Sequence, residues 1–171
     1  RRDVLVYTSD ALAEGLEVTG PVGATIYVST SANDTDFSAK VVDVSPEGKP
    51  LLVTDGIARL RYRMSLLAPV FARRNAPYQV HIDAGVTSWL FERHHRIRLE
   101  ISSSNFPRFD RNLNTAGPNA NASEMVSAVQ AVYHERAYPS VLVLPVIPRV
   151  RSSTLARYSH SRANLRVLGA H

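Results

Sequence analysis

A serine hydroxyl becomes a nucleophile when a base lies within hydrogen-bond reach and a strained elbow exposes it. The sequence offers Ser102, Ser103 and Ser104 in a row, with His95 upstream. No G-x-S-x-G surrounds them, and nothing singles out one of the three as activated. They read as strand-end serines that satisfy nearby backbone groups. An autonomous hydrolase using these serines with His95 is the least supported reading of the chain.

Metal chemistry has weaker support. Adjacent histidines in an extended segment point to opposite faces, so His94 and His95 do not readily share one ion. They are expected as one exposed and one half-buried ring. Asp34 and Asp36 superficially suggest calcium, but the glycine and distal glutamate of a calcium loop are missing, so turn chemistry is preferred. No H-E-x-x-H and no glycine-rich phosphate cradle occurs. The expectation is no catalytic residue, no metal and no cofactor in this chain.

The segment after the serines is different. Phe106-Pro107-Arg108-Phe109-Asp110-Arg111-Asn112 places aromatic, basic and acidic side chains in one short loop. Arg108, Asp110 and Arg111 can pair locally, while Phe106 and Phe109 can cover an apolar surface. Two readings are open, a loop folded against its own sandwich and stabilised by an Arg-carboxylate fork, or a docking surface for another domain, and both can hold together because a self-pinned loop makes a preorganised interface. Phe106, Arg108, Phe109, Asp110, Arg111 and Asn112 are therefore the candidate docking residues.

The elements that must position this loop read as strands. Ile97, Leu99 and Ile101 alternate with Arg96, Arg98 and Glu100, the period of a half-buried strand. Similar runs cover 3–8, 17–30 with an interruption at Gly20-Pro21, 37–41, 51–54, 78–82 and 86–91. Asp55-Gly56 carries the strongest hairpin signal. Arg59, Arg61 and Arg63, in period two, then read as one solvated strand face. Residues 64–77 look irregular, 112–123 extended, and 125–134 either strand or short helix. Ser140 to Leu144 is a strand buried on both faces. Many short strands with no long helical stripe predict an all-β jelly-roll sandwich.

Composition narrows the partners. The chain of 171 residues suits one domain, and its lack of cysteine excludes disulfides and thiolate chemistry without fixing a compartment. Of its 20 basic residues, Arg149, Arg151, Arg157, Arg162 and Arg166 lie beyond Pro148, where no Asp or Glu occurs. That leaves 15 basic against 15 acidic residues in 1–148, a neutral body that argues against nucleic-acid binding. No apolar run is long enough for a membrane helix, so a soluble chain is expected, with a cytoplasmic location favoured. The domain is drawn at 1–148, and 149–171 reads as a basic Arg/Ser-rich tail, mobile or weakly helical. The first residue is not methionine and no signal segment follows, which suggests a processed chain or part of a longer one.

The stretches Val18 to Val22, Ser31 to Asp43, Leu52 to Ile57, His95 to Asn112 and Tyr138 to Pro148, in this order, closely resemble a known family. It is the C-terminal domain of the X-Pro dipeptidyl-peptidase, cocaine esterase and α-amino acid ester hydrolase family. ISSSNFPRFDRN is the most specific part. The resemblance implies a galactose-binding-like sandwich beside an α/β-hydrolase domain that carries a Ser-His-Asp triad. That parent would cleave X-Pro peptides, esters or β-lactam side-chain amides. No triad position falls in this domain, so the implied role is support: packing on the catalytic domain and shaping its substrate cleft. The second reading is a stand-alone carbohydrate- or ligand-binding sandwich, with Trp89, Tyr27 or Tyr62 as stacking platforms. One departure concerns His94, where the family usually has glycine. If that site needs positive φ, His94 is strained or the turn is remodelled.

Overall fold

The computed structural model describes residues 3–117 and 123–148 with their side chains, and the backbone of the strand Arg162–Arg166. Among them are nine strands in two antiparallel sheets. One sheet has the order β1 (Leu5–Thr8), β6 (Arg96–Ser102), β3 (Asp36–Val44), β4 (Pro50–Arg59). The other runs β5 (Tyr78–Phe91), β2 (Leu16–Thr30), β8 (Val141–Pro145), β9 (Arg162–Arg166), with β7 (Gln130–Tyr133) also paired to β2. The long β2 has β5 along one edge and β8 and β7 in succession along the other.

The alternating residues supply the core. Phe37, Ala39 and Val41 from β3 and Ile97, Leu99 and Ile101 from β6 meet Ala24, Ile26 and Val28 from β2, Val80 and Ile82 from β5, and Leu142 from β8. All are buried, so a period of two places one face of each sheet inward. The expected all-β sandwich is the observed architecture.

Several local expectations need correction. Gly20-Pro21 does not break β2, which continues through a register shift between Pro21 and Gly23. Opposite that shift Gly85 takes φ +79°, and after it Thr87 and Trp89 rather than even-numbered residues turn inward. Asp55-Gly56 is not a turn. It lies inside β4, paired with Lys40 and Ala39. A Cβ on Gly56 would stand 1.9 Å from the Asp83 carbonyl oxygen, so β4 and β5 approach at this point only because the residue is glycine. The arginines do not share a solvated strand face either. The chain leaves β4 into a 3-10 turn at Leu60–Tyr62, and Arg61 is buried. In the segment beyond Pro148, Arg162–Arg166 forms an antiparallel strand on β8, where no strand is expected. The remainder of the predicted tail lies outside the described residues.

Candidate domain-docking surface

The alternation in the four-stranded sheet places Asp36 and Ser38 of β3, and Asp55, Ile57 and Arg59 of β4, on the side opposite the core. The chain leaving β6 folds back over this face. Ser102 shares a hydrogen bond with Ser38 at 2.8 Å and donates to the Ser104 carbonyl at 3.0 Å. Asn105 donates to Asp55 at 2.5 Å, and Arg108 forms an ion pair with the same carboxylate. Arg59 binds Asp36 through both carboxylate oxygens, at 2.9 and 3.0 Å, and reaches Asp110 of the loop at 3.0 Å.

A second set of bonds holds the loop's far end. Asn112 donates to Asp34 and Asp36, 2.7 Å from each. Asp34 also accepts from the Arg61 backbone N–H at 2.8 Å and its Nε at 2.6 Å. Arg61 then donates to the carbonyls of Thr115 and Gly117 at 2.8 and 3.0 Å. Asp34, Asp36 and Asp55 are all buried, so three carboxylates removed from water are satisfied by loop and strand donors.

The loop is thus folded against its own sandwich and held there by arginine-carboxylate pairs, as one of the two readings of the sequence expects. Arg108 goes to Asp55, Asp110 goes to Arg59, and Arg111 lies over the Phe106 ring at 4.2 Å. The Phe106-Pro107 peptide is cis, and Phe106 is 57% exposed with its ring presented outward beneath Arg111. Phe109 is half-buried, and Arg108 stacks near it at 5.5 Å.

Sequence reasoning found the loop but missed its anchors: Asp34, Asp36, Asp55, Arg59, Arg61 and Asn105. The signal was an acidic pair facing an arginine pair of the same spacing. It was legible only with the strand pairing that joins Asp36 to Arg59 in register.

Electrostatics sharpen the picture. Burial pushes the Asp36 carboxyl above its ordinary value, opposed by hydrogen bonds from Arg59 and Asn112 and by the Arg59 charge, and reinforced by Asp34. From the other end of the pair, Asp36 raises Arg59 and holds it more firmly charged. The two directions are compatible. The Asp36 side chain is the more completely desolvated member, and its burial cost exceeds what the pair returns.

The remaining candidates separate. His95 precedes β6 and Ser102 ends it, so a strand of seven residues, roughly 20 Å at the usual rise, divides them. His95 Nδ1 is instead 2.8 Å from Asp43, which also accepts from the Trp89 indole at 3.0 Å. The Ser102–Ser104/His95 hydrolase reading is thereby overturned. His94 is exposed at φ +69°, so the turn keeps a glycine-like backbone with a histidine in it. Of the stacking candidates, Trp89 packs on the core and Tyr27 leans on Tyr138 at 5.5 Å between centroids; Tyr62 is half-buried. Among the described residues no group of His, Cys, Asp and Glu could hold a metal ion, and no helix is long and apolar enough to cross a membrane.

Comparison with known proteins places this sandwich. The family described as the X-Pro dipeptidyl-peptidase C-terminal non-catalytic domain matches residues 1–143. The chain belongs to this family. Cocaine esterase of Rhodococcus sp. (strain MB1 Bresler) is 46% identical over 151 residues, 87% of this chain and 26% of the esterase. An aminopeptidase from a marine sediment Thaumarchaeota archaeon superposes with TM-score 0.82 at 31% identity, covering 86% of this chain and 26% of its own. An α-amino acid ester hydrolase gives TM-score 0.81 at 32% identity, with the same coverage. The chain therefore spans about a quarter of the length of these relatives. It corresponds to the non-catalytic C-terminal domain of such hydrolases.

Proposed function

We propose that this sandwich packs on an α/β-hydrolase catalytic domain of a serine hydrolase, an X-Pro dipeptidyl-peptidase or acyl esterase, and shapes its substrate cleft. Phe106, Arg108, Phe109, Asp110, Arg111 and Asn112 form the docking element. The observation that carries the reading is the outward Phe106, held rigid by a loop clamped to three buried carboxylates. A loop ordered before contact loses little conformational entropy on docking, so more of the contact energy appears as association. Arg111 over Phe106 gives an aromatic-cationic pair of the kind enriched in interface centres. An interface of this type buries on the order of 600 to 1,500 Å².

The test is made on the intact polypeptide that contains this domain. Its reading frame is expected to encode a hydrolase domain; without one, within the frame or adjacent to it, the proposal fails. Phe106→Asp is expected to leave the sandwich folded, lower hydrolysis of a p-nitrophenyl ester by about tenfold or more, and uncouple the two domains in calorimetry. Unchanged turnover and unchanged thermal coupling would reject the docking role.

A further inference from the structure

The segment after the 3-10 turn leaves the body of the sandwich and returns to it. Its base is closed by the Val70 N–H donating to the Arg61 carbonyl at 2.7 Å and by Arg63 donating to the Val70 carbonyl at 2.5 Å. The Arg63 guanidinium lies 4.2 Å over Tyr78, and Arg61 lies 5.1 Å from the Phe71 ring. The Ala72 N–H then donates to the Asn33 carbonyl at 2.8 Å, tying the return to the turn that carries Asp34. Between these anchors the tip is Met64-Ser65-Leu66-Leu67, where Met64 is 76%, Leu66 86% and Leu67 96% exposed.

This is an unusual use of large apolar side chains. Single exposed leucines are ordinary, but successive ones at the tip of a projection clamped at its base form a preformed knob. Other exposed apolar residues, such as Leu51, Leu52, Val86 and Leu90, lie along β4 and β5. The knob shares Arg61 and Asp34 with the clamp that holds the 105–117 loop, so both elements rest on one rigid base.

We infer that Met64, Leu66 and Leu67 form an anchor that inserts into an apolar groove of the catalytic part of the same polypeptide. The inference rests on the proposed docking function and adds a second, independent point of attachment to it. The occupant is argued from the comparison: this chain matches about a quarter of the length of the relatives, and the family is their non-catalytic C-terminal domain. A knob with Leu66 and Leu67 at its tip fits an apolar partner, because seating these exposed side chains in an apolar groove removes their surface from water.

The experiment uses the intact polypeptide and compares Leu66→Ser/Leu67→Ser, Leu66→Ile/Leu67→Ile and Phe106→Asp by scanning calorimetry, sedimentation and ester hydrolysis kinetics. The serine pair is expected to keep the sandwich's circular dichroism, because both side chains are almost wholly exposed within the domain. It should lower the hydrolase transition by about 5 °C, while the isoleucine pair restores it. If the serine pair changes nothing while Phe106→Asp uncouples the domains, the anchor is wrong and the docking function stands. If neither acts, both fall. A rise in KM with unchanged coupling would make the knob a cleft wall instead, and loss of a dimer alone would make it a contact between copies. Either result overturns the anchor.

Discussion

The residues that matter most are the buried carboxylates and the cations that satisfy them, and burial ranks their contributions. Arg61 is buried against Asp34, so Arg61→Ala strands a carboxylate away from water and is expected to cost about 3 kcal/mol. The Arg108 side chain is 60% exposed and Asn105 still bonds Asp55 without it, so Arg108→Ala is expected to cost less than about 1 kcal/mol. Urea unfolding of the two variants checks the order, and equal losses would contradict it. Asp36 gives a pH signature of known sign. Its folded carboxyl lies above the ordinary 3.8, so the folded state holds the proton more tightly than the unfolded chain. That contribution is fully present below 3.8 and is lost as pH rises through the raised value. Relative to Asp36→Asn, the wild type should therefore lose stability as pH rises from below 3.8 through the raised value, as read from paired denaturation midpoints. A difference that grows in the wild type's favour with rising pH would refute the assignment. His94 supplies a simpler case. At φ +69° a side chain is strained, and His94→Gly should stabilise by about 0.5 to 1 kcal/mol.

At the level of elements, the glycines of β4 and β5 act in different ways. Gly56→Ala meets the Asp83 backbone at 1.9 Å and should destabilise by about 3 kcal/mol or prevent folding. Gly85→Ala meets only the Thr54 hydroxyl at 3.8 Å, so its penalty is the positive φ alone, about 1 kcal/mol. Soluble yield and thermal midpoints distinguish these outcomes. The strands themselves were legible, because Ile97, Leu99 and Ile101 or Phe37, Ala39 and Val41 alternate as a sandwich requires. Asp55-Gly56 was misread for a physical reason. The same dipeptide that favours a tight turn also suits a strand where an acid anchors a loop and a neighbouring backbone must come close. Arg59 and Arg61 were misread because period two reports only that residues share a face. The carboxylates awaiting them come from elsewhere in the chain, and that pairing needs the register of β3 on β4. The 105–112 loop stood out through its own composition, whereas the Met64–Leu67 knob did not. Its residues look irregular in sequence, and only the clamp at its base makes them a projection.

For the whole molecule, the family relation makes this sandwich the counterpart of a non-catalytic C-terminal part of larger hydrolases, and the proposed docking assigns its two clamped loops to the contact with the rest. A second group of exposed apolar residues, including Leu51, Leu52 and Val86, provides an internal reference on the strands. Hydroxyl-radical footprinting of the intact polypeptide, read residue by residue, decides whether the clamped loops dock. Phe106, Met64, Leu66 and Leu67 are expected to be strongly protected while Leu51, Leu52 and Val86 label freely. Labelling of Phe106 and the knob as heavy as that of the strand residues would contradict the docking.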